Sequence, residues 1–156
     1  MKLHRDLREF VELLNSRGVE YVVVGGHAVA FHGHPRFTGD IDFLIAATPD
    51  NAARVLGGLA AFGFADLGLT VDDLLPAGQI VQLGRPPNRI DLLTSISGVE
   101  FDEAWRTRVP GTLDGLPVAY LGRDALRANK LASGRAKDLA DIEAIDRVAG
   151  ARSDDR

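Results

Sequence analysis

The chain has 156 residues, of which 46% are hydrophobic and 26% are charged, and its formal net charge is −4 at pH 7. This length predicts one domain with a full hydrophobic core, and the acidic balance excludes a surface that coats nucleic acid through general positive charge. The absence of cysteine excludes a disulfide framework, a Cys-ligated zinc site and a thiol nucleophile.

Neither a targeting segment nor a membrane span is evident in the sequence. The first ten residues, MKLHRDLREF, mix charges with leucine and lack the apolar stretch of a signal peptide. No apolar run approaches the roughly 20 residues that cross a bilayer. We therefore expect a cytoplasmic protein with no membrane partner.

The first part of the chain predicts helices and strands in alternation. Apolar residues at helical spacing, including Leu7 and Leu14, indicate an amphipathic N-terminal helix, and Thr48-Pro49 is typical of a helix start. We predict a helix over residues 2–17, a strand over 19–24, a short helix over 27–31, a strand over 40–46 and a helix over 48–62.

The second part predicts two hairpins followed by helices. Asp114-Gly115 is typical of a hairpin turn. We predict a short helix before Pro76, a hairpin of strands 79–83 and 89–93, a helix over 101–108, a last strand over 118–121 and a helix over 122–148 that breaks near Ser133-Gly134. The fold class is therefore α/β (α+β), with one domain over residues 1–150, a mixed sheet of about 4–6 strands with flanking helices, and a flexible tail over 151–156.

Two aspartates open the strand at residues 40–46. Side chains on a strand alternate between its faces, so Asp40 and Asp42 point the same way, roughly 6–7 Å apart. Two carboxylates on one spot repel each other and lose solvation unless a cation binds between them. Hard oxygen ligands of this kind suit Mg²⁺, so the pair predicts a magnesium site.

A third carboxylate completes the set. Asp91 stands in the middle of the apolar strand Arg89–Leu93, where a charge needs a partner. If this strand lies beside residues 41–45, Asp91 faces Asp40 and Asp42. Three aspartates can then hold two Mg²⁺ ions, the arrangement used for in-line phosphoryl transfer. The alternative for Asp91 is an ion pair with Arg89 at the end of the hairpin.

This order of motifs resembles the nucleotidyltransferase (DNA polymerase β-like) superfamily. An apolar strand, Gly25-Gly26, Asp40-x-Asp42 and a later apolar-Asp91-apolar strand carry the resemblance, over roughly residues 19–93. The C-terminal segment with Lys130 and Lys137-Asp138-x-x-Asp141 looks like that of minimal bacterial nucleotidyltransferases related to AbiEii/MenA-type toxins. The implied fold is the nucleotidyltransferase fold with C-terminal helices added.

The resemblance also implies roles for individual residues. Gly25 and Gly26 would let the backbone approach a nucleoside triphosphate, ATP or another NTP, and Asp40, Asp42 and Asp91 would be the catalytic, metal-binding carboxylates. Arg36, Thr38, Lys130 and Lys137 would contact the triphosphate or substrate. For the two lysines the alternative is a solvated helix face.

Three hypotheses of function remain open at this stage. The favoured reading is a Mg²⁺-dependent transfer of NMP from an NTP to a hydroxyl of tRNA, a protein or a small molecule. The alternative is a catalytically inactive nucleotide-binding or regulatory module of the same fold. A single-domain transferase also suits one half of a toxin–antitoxin pair with a partner protein. A basic cluster favours an anionic partner: Arg123, Arg127, Lys130, Arg135 and Lys137.

Overall fold

A computed structural model describes residues 4–35 and 38–154, which form six α-helices and six strands. The helices are α1 (Arg5–Ser16), α2 (Gly25–Phe31), α3 (Pro49–Ala61), α4 (Phe101–Arg106), α5 (Arg123–Ser133) and α6 (Ala136–Asp154). The strands are β1 (Tyr21–Val24), β2 (Asp40–Ile45), β3 (Ile80–Leu83), β4 (Arg89–Leu93), β5 (Val109–Leu113) and β6 (Leu116–Tyr120).

The strands form one mixed sheet in the order β3-β4-β2-β1-β6-β5. β1 runs antiparallel to β2 and parallel to β6, and β2 runs parallel to β4. The interior strand β1 has four buried residues, because helices cover both faces of the sheet at this position. The predicted fold class, a mixed sheet with flanking helices, is confirmed.

Each face of the sheet has its own hydrophobic core. On one face, Phe43 of β2 packs edge-on against Phe10 of α1, with ring centroids 5.8 Å apart. On the other face, Leu44 packs in a cluster with residues of α2, α5 and α6. Because side chains alternate along β2, Asp40 and Asp42 lie on the face of Leu44. The strand therefore delivers both aspartates to the side of the sheet covered by α2.

Local signals in the sequence account for several element ends. The Thr48 hydroxyl accepts a hydrogen bond from the Asn51 amide and caps α3, whose first residue is Pro49. Asp114 and Gly115 both adopt positive φ, the conformation that a two-residue hairpin turn requires. Gly134, also at positive φ, ends α5, so the predicted break between the two C-terminal helices is confirmed.

Some predicted bounds were wrong by a few residues. β1 begins at Tyr21 rather than residue 19, and α2 begins at Gly25 rather than residue 27. α6 continues to Asp154, whereas the predicted helix ended at about residue 148. Residues 65–67 and 71–74 form short 3₁₀ turns. Among the described residues, every helix is too short or too polar to cross a membrane.

Candidate active site

The three predicted aspartates converge at one point of the sheet. β2 and β4 are adjacent and parallel, with Asp42 directly beside Asp91 in register. One carboxylate oxygen from each of Asp40, Asp42 and Asp91 lies within 4.8 Å of the other two. Within residues 4–35 and 38–154, no other group of three acidic or histidine side chains is close enough to hold a metal ion. The predicted position of Asp91 facing the pair is confirmed.

Gly25 leaves the space that Asp42 occupies. A Cβ built on Gly25 would overlap Oδ2 of Asp42 and lie 3.1 Å from its Cγ, and the backbone has a φ of +66°. Both features favour glycine. The structure thus gives Gly25 a packing role beside the Asp42 side chain, and its approach to a triphosphate, which the resemblance implies, stays a prediction.

Thr38, in the loop before β2, bonds Asp40 and packs against Gly26 of α2. The Thr38 hydroxyl lies 2.9 Å from the backbone oxygen of Asp40 and 3.0 Å from its Oδ1, and it can donate to either. A Cβ built on Gly26 would lie 3.1 Å from the same hydroxyl, so glycine lets Thr38 pack closely. The structure therefore gives Thr38 a positioning role. A contact between Thr38 and phosphate stays a prediction, and Arg36 lies outside the described residues.

Arg89 forms ion pairs with two of the three aspartates. Its Nε donates to Asp91 Oδ1 at 3.0 Å, and its Nη2 lies 3.1 Å from Asp91 Oδ2 and 2.6 Å from Asp40 Oδ2. The register explains this reach, because Arg89 lies beside Asp40 on the neighbouring strand. The ion pair with Arg89, which was the alternative interpretation of Asp91, is therefore present, and metal binding by Asp91 stays a prediction.

The environment of Asp42 disfavours the ionised form of its carboxyl group. Burial, the charge of Asp40, and a hydrogen bond and charge from Asp91 together raise the pKa of Asp42 to about 7, against a smaller opposing effect of Arg89. Ionised carboxylates so close together need a further cation. Three hard-oxygen donors with an uncompensated charge fit Mg²⁺, which favours carboxylate oxygen.

Comparison with known proteins identifies the family. A family model described as a nucleotidyltransferase of unknown function (DUF6036) matches residues 2–149. The chain belongs to this family. A search of curated proteins gives no match. The family match supports the predicted nucleotidyltransferase superfamily and a general nucleotidyl transfer function.

The sequence assigned no role to His27, yet the charge of Asp40 acts on its side chain. The side chain is buried, and burial lowers its pKa while the charge of Asp40 opposes that effect. His27 also lines a cavity of about 650 Å³ with Phe31 and Tyr120, whose rings stack 4.1 Å apart. The sequence signal that could have pointed to His27 is its position directly after Gly25-Gly26, in the first turn of α2.

Lys130 lies buried between α5 and α6. Its Nζ is 3.2 Å from Asp138 Oδ1 and 3.2 Å from Asp141 Oδ2. Although burial raises the pKa of Asp138, hydrogen bonds from Arg135 and Lys130 outweigh that effect and hold it below its usual value. The geometry therefore gives Lys130 a structural role, and its contact with a triphosphate stays a prediction. Lys137, in the first turn of α6, is exposed.

The predicted basic cluster is largely neutralised by nearby acids. Arg127 Nε lies 3.3 Å from Asp146, and Arg135 Nε lies 2.8 Å from Asp138. Arg123 pairs with Asp124 at 3.0 Å, and Lys130 is paired as described above. These ion pairs weaken the case for an anionic partner on this surface.

The Asp42 pKa predicts that the metal-free protein loses stability as the pH rises. The pKa of an aspartate rises from its ordinary value of 3.8 to about 7 at Asp42 in the folded protein, so folding favours the protonated form. This contribution is fully present below the lower value and is lost as the pH rises through about 7. In EDTA, the melting temperature of Asp42→Asn minus that of the parent should increase between pH 5 and 8. A constant difference would contradict this pKa.

The buried lysine predicts a contrast between two substitutions. Lys130→Met leaves Asp138 and Asp141 without their shared cation, and breaking a buried ion pair of this kind costs about 3–5 kcal/mol of unfolding free energy. The matched change at exposed Lys137 should stay within about 0.5 kcal/mol. Urea unfolding measures both. Equal stabilities of the two variants would contradict the structural role of Lys130.

Proposed function

We propose that the protein is a Mg²⁺-dependent nucleotidyltransferase that moves NMP from an NTP to a hydroxyl group of an acceptor. The observation that carries this proposal is the convergence of three carboxylates from adjacent parallel strands, with oxygens within 4.8 Å. The family match supports the same class of reaction. An acidic cluster that one guanidinium compensates only in part is suited to a divalent cation that accompanies a triphosphate.

The residues of the site have complementary roles in this proposal. Asp40, Asp42 and Asp91 would hold one or two Mg²⁺ ions. The metal would supply positive charge to the triphosphate and to the leaving group. Gly25 lets Asp42 adopt its position, and Thr38 orients Asp40. Asp91 either completes the metal-holding set or accepts the proton of the attacking hydroxyl.

The bond changes are those of a simple substitution at phosphorus. The acceptor hydroxyl oxygen forms a bond to the α-phosphorus, and the bond from that phosphorus to the bridging oxygen of the β-phosphate breaks. Pyrophosphate leaves, and the hydroxyl proton passes to a carboxylate or to solvent. The proposed ligands of the nucleotide remain those that the resemblance implies: Gly25, Gly26, Arg36, Thr38, Lys130 and Lys137.

Incubation with α-phosphate-labelled ATP, CTP, GTP or UTP tests the proposal. Separate reactions contain total tRNA, a protein extract or small hydroxyl compounds, each with Mg²⁺ or with EDTA. The expected result is label on one acceptor class, with release of an equal amount of pyrophosphate, in Mg²⁺ only. Nucleotide binding without any transfer would instead favour the inactive nucleotide-binding module.

The resemblance to AbiEii/MenA-type toxins extends the proposal to a toxin–antitoxin role with a partner protein. Induced expression in bacteria tests this extension. A toxin of this class should arrest growth, whereas Asp42→Asn at equal expression should not. Equal growth of both cultures would remove the toxin role and leave the enzymatic proposal to the transfer assay.

A further inference from the structure

Arg89 is the basic side chain that contacts the carboxylate cluster in the described part of the chain. Its guanidinium bonds both oxygens of Asp91 and one oxygen of Asp40, at 2.6 to 3.1 Å. The side chains are mostly shielded from solvent, with exposed fractions of 29% for Arg89, 25% for Asp40 and 9% for Asp91. A planar guanidinium on a carboxylate in this two-point geometry is a strong, oriented pairing.

These hydrogen bonds use the oxygens that a metal ion would need. A carboxylate oxygen that accepts a short bond from a guanidinium has less capacity to coordinate a cation, and the positive charge beside it repels one. Arg89 makes no hydrogen bond to Asp42 among those the structure describes. Arg89 thus bonds one side of the cluster, at Asp40 and Asp91, and makes no bond to the other side, at Asp42.

The sum of the charges in the cluster also limits the number of metal ions that it can bind. With all three aspartates ionised, one guanidinium and one divalent ion together balance the cluster. A second divalent ion would leave two excess positive charges, or one if Arg89 moved away, unless an anion such as a triphosphate arrived. The charge balance in the nucleotide-free protein therefore favours a single ion.

We propose that Arg89 is a built-in cation that competes with a divalent metal ion for the Asp40–Asp91 side of the cluster. The nucleotide-free protein then binds one ion, and a second ion binds this side only when Arg89 releases Asp91. The inference rests on the proposed function, because it takes the three aspartates as the metal site.

A Mn²⁺ titration without nucleotide, at pH 8, tests the proposal. Loss of the electron paramagnetic resonance signal of free Mn²⁺ gives the number of bound ions and their affinity. The parent should bind one ion, and Arg89→Met should bind a second ion or bind the first at least about tenfold more tightly, a change of about 1.4 kcal/mol. The control is Arg85→Met, which removes an exposed arginine from the same hairpin and should behave as the parent.

The outcomes separate this inference from the proposed function. If Arg89→Met binds Mn²⁺ as the parent does, or more weakly, Arg89 does not compete and the inference is wrong, while the metal site stands. If neither the parent nor Arg89→Met binds Mn²⁺, the aspartates are not a metal site and both proposals fail. Whenever the parent binds Mn²⁺, Asp42→Asn should lose that binding.

A measurement on the unmodified protein covers the event that Arg89→Met does not fold. The Nε–H of Arg89, bonded to Asp91, gives a ¹⁵N nuclear magnetic resonance signal that Arg89→Lys lacks and that the substitution therefore assigns. Addition of Mg²⁺ without nucleotide, up to saturation of the single ion, should leave the signal in place, because Arg89 keeps its bond to Asp91. Loss of the signal when this one ion binds would overturn the proposal, because Arg89 would then not hold its side of the cluster.

Discussion

Asp42→Asn is expected to abolish nucleotidyl transfer while making the metal-free protein more stable at pH 8. The substitution removes a metal-holding carboxylate, and metal ions contribute several kcal/mol to the transition state, so the rate should fall about 10³-fold or more. It also removes a charge whose burial, together with repulsion by Asp40 and Asp91, raises the Asp42 pKa to about 7. Labelled-NTP transfer and thermal unfolding in EDTA measure the two effects.

The opposite directions of these two effects distinguish a lost site from a damaged fold. The same acid-to-amide change at Asp72, which is exposed in a 3₁₀ turn, should leave both transfer and stability at the parent level. Retention of more than a tenth of the parent rate in Asp42→Asn would contradict the role of this carboxylate. Loss of both activity and stability would contradict the electrostatic explanation.

Gly25→Ala is expected to displace Asp42 and so to remove metal and nucleotide binding. The new Cβ would overlap Asp42 Oδ2 and lie 3.1 Å from Asp42 Cγ. The backbone at φ +66° adds a cost of roughly 1–2 kcal/mol for a residue with a side chain. We therefore expect lower stability than the backbone cost alone explains, together with loss of transfer.

Gly18→Ala is a matched control for this substitution. Gly18 has a φ of +67°, almost the same as Gly25, but a Cβ there would meet no atom within 4 Å. Both variants bear the backbone cost, and only Gly25→Ala bears the overlap with Asp42. Urea unfolding and transfer assays on the pair isolate that overlap. Equal behaviour of the two variants would show that Asp42 does not depend on the space beside Gly25.

Local patterns in the sequence predicted the parts of the site that depend on short-range geometry. Strand alternation placed Asp40 and Asp42 on one face, and the apolar neighbours of Asp91 marked it as a charge that needs a partner. The cap at Thr48 and the turn at Asp114-Gly115 were likewise predicted from residue chemistry alone. Each of these features is decided within a few residues of chain.

The remaining features depend on contacts between distant segments. Arg89 reaches Asp40 only because β2 and β4 pair in a particular parallel register. Gly25 is required by a side chain from the next strand, which no pattern around the glycine reveals. The sequence around Lys130 is typical of an exposed helical lysine, and the residue is buried only because α6 brings two carboxylates to it. Tertiary packing decides these three roles.

Thermal unfolding with nucleotides tests the central claim most directly. The parent and Asp42→Asn are each melted with ATP, CTP, GTP or UTP, with Mg²⁺ and with EDTA. At about 100 times its dissociation constant, a nucleotide that binds the folded protein adds roughly 2.7 kcal/mol to the free energy of unfolding. We predict such a shift for at least one nucleotide, in Mg²⁺ only, and its loss in Asp42→Asn. A shift that is equal in EDTA or in Asp42→Asn would contradict a metal-dependent nucleotide site on these three aspartates.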